Sequence, residues 1–272
     1  MKIDERSKYL RKLIIKMVEV GNRGHIGSAM SLVEILRVLY DDFLSFRANV
    51  PNWPDRDRLI LSKGHGCLAL FSILADKKFF DKKELSTFCQ PKSILGGHPE
   101  YGKVPGIEAS TGALGHGLPI GVGMALAAKI QNKNHKIIVI TGDGELNEGS
   151  NWEASMTASK HKLNNLCLMI DYNKIQSYGK TSEVLELEPL NDKLKSFGYQ
   201  VLEADGHNLD QIQSCLYNFK HCKEKPTAII CHTVKGKGIS MAENNPYWHH
   251  KSNLKESDYE EIYACLKFET LI

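Results

Sequence analysis

Five short apolar segments, separated by longer amphipathic ones, constrain the fold of this 272-residue chain more than any other feature. The segments are residues 58–61, 136–141, 166–171, 200–203 and 227–232, and their length and composition are typical of buried strands. Strands that alternate with helices of about 10 to 15 residues favour a mostly parallel sheet with helices on both faces. We therefore predict an α/β fold of this type, with residues 1–272 forming one domain.

The amphipathic segments predict the helices of this fold. We expect helices over about residues 6–20 and 31–44, and others beginning after His65, Gly117, Glu148, Asn208 and Ser257, the last ending at Phe268. Ser31, Asn208 and Ser257 each precede a Glu or Gln by three positions, which is the spacing of a capping box.

Charge and cysteine content exclude several classes of protein. With 35 basic and 32 acidic residues the net charge is +3, and no run of like charges predicts binding to nucleic acid or to a membrane surface. The apolar stretch at 118–128 is shorter than the ~20 residues of a spanning helix, and the first residues predict no secretory signal. The seven cysteines form no C-x-x-C motif, and we predict reduced core residues of a cytoplasmic protein rather than disulfides or zinc ligands.

Polar residues follow the predicted strands, where a parallel sheet binds its ligands. Asp143 lies between two glycines at the end of one strand, just before a predicted helix start that offers N–H groups to an anion. A divalent cation would let Asp143 take part in binding a phosphate. Asn173 ends the next strand 30 positions later, and the carbonyl of Ile175 follows it. The alternative is a plain Asp-Gly turn and an unrelated Asn cap.

Gly142-Asp143-Gly144, followed after 28 residues by Asn173, resembles the thiamine diphosphate motif. The segments GDGELNEGSNWEA and DYNKIQS resemble the transketolase family in particular. The resemblance continues through GHIGSAMS at 24–31, LSKGHG at 61–66, GGHPE at 96–100, TGALGHGLPIGVGMALA at 111–127, and HTVKGKGIS and WHH within 232–250. These matches follow the order of the family and imply its thiamine diphosphate-binding fold over nearly the whole chain.

The resemblance implies a cofactor site and its metal. Asp143, Asn173 and the Ile175 carbonyl would hold Mg²⁺ or Ca²⁺ on the diphosphate of thiamine diphosphate. The implied cofactor-binding residues are His65, Gly112, Leu114, Gly144, Glu145, Asn173 and His249. A nicotinamide site is the competing interpretation of the glycines at 115, 117 and 121, but their spacing does not match the dinucleotide motif.

Four histidines are implied to be catalytic: His25, His65, His98 and His249. Transfer of a two-carbon ketol unit requires proton transfers at a donor hydroxyl and at a carbonyl oxygen, and imidazole suits both. By resemblance, His25 and His249 contact substrate oxygens, and His98 contacts the hydroxyl end of the donor. His65 and His249 approach the diphosphate. The alternatives are ordinary surface or core histidines and zinc ligands, although the spacing of zinc sites is absent.

Two residues in the histidine loops, at positions 116 and 26, differ from those that many family members carry. His116 lies where many members have Gln, and we expect it to act behind the residues that contact the ligand. Ile26 replaces the Pro that often follows the first histidine, which changes the expectation for the loop and not for His25.

Two roles are considered for each of four charged residues. Lys235 and Lys237 are expected to be solvated loop lysines, with phosphate binding as the alternative. Glu148 and Glu153 lie where family members carry acidic residues at the subunit interface. Their alternative is a pair of first-turn glutamates favoured by the helix dipole.

The chain resembles only the N-terminal, diphosphate-binding part of a transketolase, and we expect it to end after its last helix. The resemblance thus implies the N-terminal subunit of a split transketolase, inactive without a C-terminal subunit that carries the pyrimidine-binding half, in a heterotetramer. Sugars or sugar phosphates are the implied substrates. The alternatives are a component of a 1-deoxyxylulose 5-phosphate synthase-like enzyme or of a 2-oxo acid decarboxylase, and a non-catalytic interaction protein descended from the family.

Overall fold

The computed structural model describes residues 3–266 and is built on a five-stranded parallel sheet. The described residues contain seven strands in all, five in this sheet and two in a separate ribbon. They are β1 (Arg23–Gly24), β2 (Arg58–Leu61), β3 (Ile137–Gly142), β4 (Leu166–Tyr172), β5 (Gln200–Asp205), β6 (Thr227–His232) and β7 (Lys251–Ser252). The sheet has the order β2-β3-β4-β6-β5, and all of its neighbouring strands are parallel. Strands β1 and β7 form a separate antiparallel ribbon.

Ten α-helices connect and cover the strands of the described part of the chain. They are α1 (Glu5–Gly21), α2 (Ile26–Met30), α3 (Val33–Val38), α4 (Cys67–Asp76), α5 (Gly117–Ile130), α6 (Gly149–Lys160), α7 (Thr181–Val184), α8 (Leu190–Ser196), α9 (Leu209–His221) and α10 (Glu256–Cys265). Short 3₁₀ turns occupy Gly64–Gly66, Lys82–Thr87, Gly144–Asn147 and Pro246–Trp248, and a π-helical turn occupies Leu39–Phe43.

Alternate residues of the central strands face two hydrophobic cores, one on each side of the sheet. In β3, Ile138 and Ile140 belong to the core that contains α1, α3, α4 and α9. Ile137 and Val139 belong to the core that contains α5, α6 and α8. Strands buried on both faces have continuous apolar sequences, as these do. The predicted α/β fold with helices on both faces is confirmed.

The helix predicted over residues 31–44 is wrong, because this region is divided. Helix α2 precedes it, α3 starts at Val33, and the chain then continues as the π-helical turn Leu39–Phe43. Ser31 is the C-cap of α2 and not the N-cap of a helix, and its hydroxyl donates to Asp171 at 2.6 Å and lies 3.2 Å from the Ser28 carbonyl. The capping pattern here serves contacts that are distant in sequence.

The other two predicted capping boxes also differ from the structure. The Asn208 side chain does accept from the backbone of Asp210 and Gln211, but the Gln211 side chain binds Asp205 instead of closing the box. Helix α10 begins at Glu256, and the Asp258 carboxylate accepts from the backbone N–H of Lys255 at 2.8 Å. The predicted end of this helix at Phe268 lies outside the described residues.

No helix among residues 3–266 is both long and apolar enough to cross a membrane. The seven cysteines form no disulfide within the same residues: those at 67, 167, 215 and 231 are buried, and those at 89, 222 and 265 are half-buried.

Candidate active site

A cleft opens beyond the carboxyl ends of β3, β4 and β6, where a parallel sheet places its ligands. Its walls include the three predicted metal ligands, Asp143, Asn173 and Ile175, together with His65, Leu114, Gly144, Glu145 and His249 from the predicted cofactor site. Counting the space at its open mouth, the cleft encloses about 440 Å³. Most of the predicted site residues are therefore brought together in one place.

Asp143 and Asn173 are adjacent because they follow neighbouring parallel strands. Strands β3 and β4 are paired from Ile137 with Leu166 to Gly142 with Asp171. Beyond this pairing, the Lys174 N–H donates to the Asp143 carboxylate, and the Ile175 N–H donates to Asn173 Oδ1 at 3.1 Å. A carboxylate, an amide oxygen and a backbone carbonyl thus lie in the same loop region, while their role as metal ligands stays a prediction.

The electrostatics of Asp143 fit a bound cation. Its side chain is 3% exposed, and burial together with the nearby Asp171 carboxylate raises the pKa of Asp143 to about 6. A divalent cation would offset both effects. The donor set consists only of oxygens, which Mg²⁺ and Ca²⁺ prefer, and leaves positions for diphosphate oxygens and water. Within residues 3–266 no group of three or more His, Cys, Asp or Glu side chains is arranged to hold a metal ion.

Glu145 organises the glycine-rich walls of the cleft. One carboxylate oxygen accepts from the Ser62 hydroxyl and from the Gly115 N–H at 2.9 Å, and the other accepts from the Gly142 N–H at 3.1 Å. Since Glu145 is buried and its carboxylate is already bound by three protein donors, it shapes the cofactor cleft through these partners.

Lys63 lines the cleft and forms a buried ion pair with Asp171 behind it. The Asp171 carboxylate also accepts from the hydroxyls of Ser31 and Thr233. Burial alone would raise the pKa of Asp171, but the Lys63 ammonium and these hydrogen bonds hold it below its usual value. The negative charge that acts on Asp143 is therefore permanent at neutral pH.

The prediction that Lys235 is a solvated loop lysine is wrong. Its side chain is 2% exposed, and its ammonium donates to the carbonyls of Ile175 at 3.0 Å and Gln176 at 3.2 Å. Burial and the nearby Lys63 lower the pKa of Lys235 to about 8. Lys63 and Lys235 thus both line the cleft, and a bound anion would offset their positive charge. Lys237 points elsewhere and pairs with Glu243 at 3.6 Å.

Five imidazoles cluster beside this cleft, and we name them the histidine cluster: His65 and His249 line the cleft, and His25, His98 and His250 line an adjacent pocket. The ring centroid of His25 lies 5.3 Å from that of His65, 6.1 Å from His98, 5.2 Å from His249 and 4.6 Å from His250. The four histidines predicted to be catalytic are therefore neighbours, although they come from four separate segments. His250 is an additional member that the sequence interpretation did not assign.

The histidine cluster is neutral at physiological pH. Burial and the neighbouring His250 and His98 lower the pKa of His25 to about 3, and burial and Lys235 lower the pKa of His249 to about 3. Burial also lowers the pKa of each of the other three. His249 Nδ1 lies 3.0 Å from the Lys235 ammonium, which can only donate, so Nε2 carries the proton and faces the Ser177 hydroxyl at 3.1 Å.

The loop before α5 contributes through close backbone approach. Gly112 has a φ of +152°, and a Cβ there would lie 2.8 Å from Cδ2 of His98. Gly112 thus packs against His98, whereas Leu114 lines the cleft. His116 is exposed and its Nδ1 lies 2.9 Å from the Leu114 carbonyl, so its contact with the cleft runs through Leu114.

Glu148 and Glu153 are both exposed on this chain, at the start and in the first turns of α6. Their carboxylates are accessible to another subunit, and their interface role stays a prediction.

A protein-family model described as the thiamine diphosphate binding domain of transketolase matches residues 3–270. The chain belongs to the transketolase family. The resemblance inferred from its motifs is confirmed, and thiamine diphosphate is the cofactor that this domain binds.

Relatives of similar length include named subunits of transketolases. This transketolase chain is 41% identical to a subunit of the apulose-4-phosphate transketolase of Phocaeicola vulgatus, over 95% of its own length and 92% of that protein. It is 39% identical to the 6-deoxy-6-sulfo-D-fructose transketolase subunit SqwG of a Clostridium species, over 98% and 97% of the two chains.

Other members of the family are more than twice as long. Human transketolase is 33% identical over 97% of this chain but only 42% of the human protein. The crystal structure of transketolase from Campylobacter jejuni matches with a TM-score of 0.91 and 34% identity, covering 100% of this chain and 44% of that one. This transketolase chain therefore spans less than half of the solved transketolases that it matches.

Sequence reasoning missed Lys63, Asp171 and His250 as members of the site, and it placed phosphate binding by Lys235 second to a solvated loop lysine. Lys63 and Asp171 stand inside motifs that were recognised, LSKGHG and DYNKIQS, and a charged residue at the end of an apolar strand is the signal that marks them. Lys235 gives no local signal, because VKGKG looks like an exposed loop.

Proposed function

We propose that this chain is the N-terminal subunit of a thiamine diphosphate-dependent transketolase that works with a separate C-terminal subunit. Relatives named as transketolase subunits match it over more than nine-tenths of both chains, which supports this division of the enzyme. The partner carries the pyrimidine-binding half, and two copies of each subunit form a heterotetramer. The substrates are sugars or sugar phosphates. The location is cytoplasmic, where free thiols persist.

In the proposed site, Asp143, Asn173 and the Ile175 carbonyl would hold Mg²⁺ or Ca²⁺, which would neutralise the charge of the cofactor diphosphate. Lys235 lies in the same wall, and its ammonium donates to the Ile175 carbonyl in this structure. A metal ion on that carbonyl would repel the ammonium, which would then turn to the diphosphate and add positive charge beside it. When bound, thiamine diphosphate supplies the nucleophilic carbon and the electron sink of the reaction.

The histidine cluster serves the proton transfers. When the bond between C2 and C3 of the ketose donor breaks, the C3 hydroxyl loses its proton, and a neutral imidazole can accept it. When the two-carbon unit bonds to the acceptor aldehyde, the carbonyl oxygen gains a proton, which an imidazolium can return. His25, His98 and His249 are the residues that we assign to these contacts. His65 and His249 line the cleft, so negative charge from a bound diphosphate would raise their pKa values.

The observation that carries the proposal is the closeness of two groups: oxygen donors and two imidazoles line one cleft, and His25 of the adjacent pocket lies within 5.3 Å of both imidazoles, measured between ring centroids. A reconstitution assay tests it. Ketol transfer from a ketose phosphate to an aldose phosphate is measured with the purified chain, with its C-terminal partner, and with both. We expect activity only from the pair. Full activity of the chain alone would refute the split enzyme.

A second experiment tests the metal site. Asp143→Asn keeps the size of the side chain and removes its charge, so we expect Mg²⁺-dependent affinity for thiamine diphosphate to fall by roughly two orders of magnitude. Isothermal titration calorimetry on the reconstituted pair measures this affinity. The matched control is Asp192→Asn on the surface of α8, which should bind normally. Equal affinities for the two variants would refute the metal assignment.

A further inference from the structure

We propose that Arg11, Glu34 and His207 are positioning residues that hold the Lys235 ammonium in the cofactor cleft and thereby set the affinity for the diphosphate. We name these three residues the Glu34 network. The proposal rests on the proposed function for the role of the cleft. None of the three is part of the cleft wall itself.

The Glu34 network is fully buried at its centre. Arg11 is 0% exposed and donates two hydrogen bonds to the Glu34 carboxylate, at 2.6 and 2.9 Å. Nδ1 of His207 lies 2.8 Å from the same carboxylate. Burial alone would raise the pKa of Glu34, but Arg11 and His207 hold it well below its usual value, so the carboxylate stays charged.

The hydrogen bonds of His207 define its tautomer. The backbone N–H of Val234 can only donate, and it lies 2.9 Å from Nε2 of His207. Nε2 therefore accepts, and Nδ1 carries the proton that is donated to Glu34. A neutral histidine with this tautomer connects a carboxylate on α3 to the backbone of the loop after β6.

This loop is held on both sides of Lys235. On one side the Val234 N–H binds His207, and on the other the Lys237 carbonyl accepts from Arg11 Nε at 2.9 Å. Both of these side chains bind Glu34, so a single carboxylate orients the two contacts. Between them, Lys235 turns inward and its ammonium donates to the Ile175 carbonyl.

The inward position of Lys235 balances opposing effects. Burial and the nearby Lys63 favour its withdrawal to solvent, whereas Asp143 and Asp171 and its own hydrogen bonds favour its place in the cleft. Two fixed backbone contacts oppose that movement before any anion is bound. We therefore expect the Lys235 ammonium to be in the cleft before the cofactor binds. Binding then requires less loss of side-chain conformational entropy.

Two conservative variants separate the two hydrogen bonds of His207. Glutamine reaches as far as Nε2 and its amide oxygen can accept from Val234, while asparagine reaches only as far as Nδ1 and can donate to Glu34. We expect His207→Asn to raise the dissociation constant of magnesium thiamine diphosphate about tenfold, and His207→Gln to stay within about threefold of the unchanged chain. Titration calorimetry on the reconstituted pair gives the constants, and the rate at saturating cofactor should change by less than about threefold in both variants.

A double-mutant cycle with Lys235→Met tests whether the effect acts through this lysine. We expect His207→Asn to weaken binding in the presence of Lys235 and to have no further effect in the Lys235→Met background. The matched control is His232→Asn, because His232 pairs with Glu203 at the same sheet edge and is about half exposed.

The outcomes distinguish the proposal from its premise. If Lys235→Met binds the cofactor normally, the role of Lys235 in the proposed function is wrong. If Lys235→Met binds weakly but His207→Asn and His207→Gln behave alike, or if the effects of His207 and Lys235 add, the positioning role is wrong. Loss of thermal stability without loss of cofactor affinity in His207→Asn would also overturn it.

Discussion

The histidine cluster and the Glu34 network are both groups of polar side chains set into the fold, but they use their hydrogen-bonding capacity differently. Within the described residues, His249 alone among the five clustered imidazoles makes side-chain hydrogen bonds. In the Glu34 network, Arg11 and His207 each bind the Glu34 carboxylate and also a backbone group. Groups with open capacity beside a cleft are available to substrate, whereas groups that are fully bound fix the structure around it.

The largest expected effect separates the two regions by activity. His25→Asn should reduce ketol transfer by the reconstituted pair by about 10²- to 10⁴-fold, the usual loss when an acid–base group is removed. It should leave the stability of the chain at pH 7.5 nearly unchanged, because the imidazole makes no hydrogen bond to the described residues. Steady-state kinetics and urea unfolding measure the two quantities. If the His25→Asn pair kept ketol-transfer activity within about threefold of the unchanged pair, the catalytic role of the histidine cluster would be wrong.

The converse effect is expected in the Glu34 network. Glu34→Gln leaves the buried Arg11 guanidinium without its counter-charge and should lower the free energy of unfolding by about 3–5 kcal/mol. The exposed pair of Glu203 and His232 supplies the control, since Glu203→Gln should cost less than about 1 kcal/mol. Urea denaturation of the two variants measures the difference, and similar losses would show that the network does not stabilise the fold.

The smallest expected effect is a pH dependence of stability that arises from the histidine cluster. His25 has a pKa of about 3 in the folded chain and an ordinary value of 6.5 when unfolded. Between these values the unfolded chain binds more protons, so the free energy of unfolding falls as the pH drops below 6.5. His25→Asn removes one such group, and its stability should decline less steeply between pH 7 and pH 5.

Unfolding curves at several pH values test this expectation. The slope should differ by only a part of the ~1.4 kcal/mol per pH unit that one fully shifted group gives, because His25 is half-buried. Identical slopes in the two proteins would mean that His25 titrates normally in the folded chain.

The positions of the strands along the chain were predictable from sequence, because strands that are buried on both faces consist of continuous runs of apolar residues. The runs at 58–61 and 227–232 match β2 and β6, and the other three strands differ from their predictions only at their ends. The juxtaposition of Asp143 with Asn173 also followed from one strand–helix–strand spacing, because neighbouring parallel strands end at the same edge.

What sequence could not show depends on partners far away in the chain. Ser31 and Glu34 have the spacing of a helix cap, yet they bind Asp171 and Arg11, 140 and 23 positions away. Lys235 has the sequence surroundings of a surface loop and is buried by contacts with Gly27, Ile175 and His249, which are distant in sequence. Charged residues with such partners cannot be told from solvated ones by local pattern.

The two-stranded ribbon has a consequence for how the protein is made. It joins Arg23 to Ser252 and Gly24 to Lys251, so that His25 directly follows one strand and His250 directly precedes the other. During synthesis, the early strand emerges from the ribosome more than 220 residues before its mate. The histidines on either side of this ribbon can therefore come together only after every strand of the sheet beneath them has been synthesised.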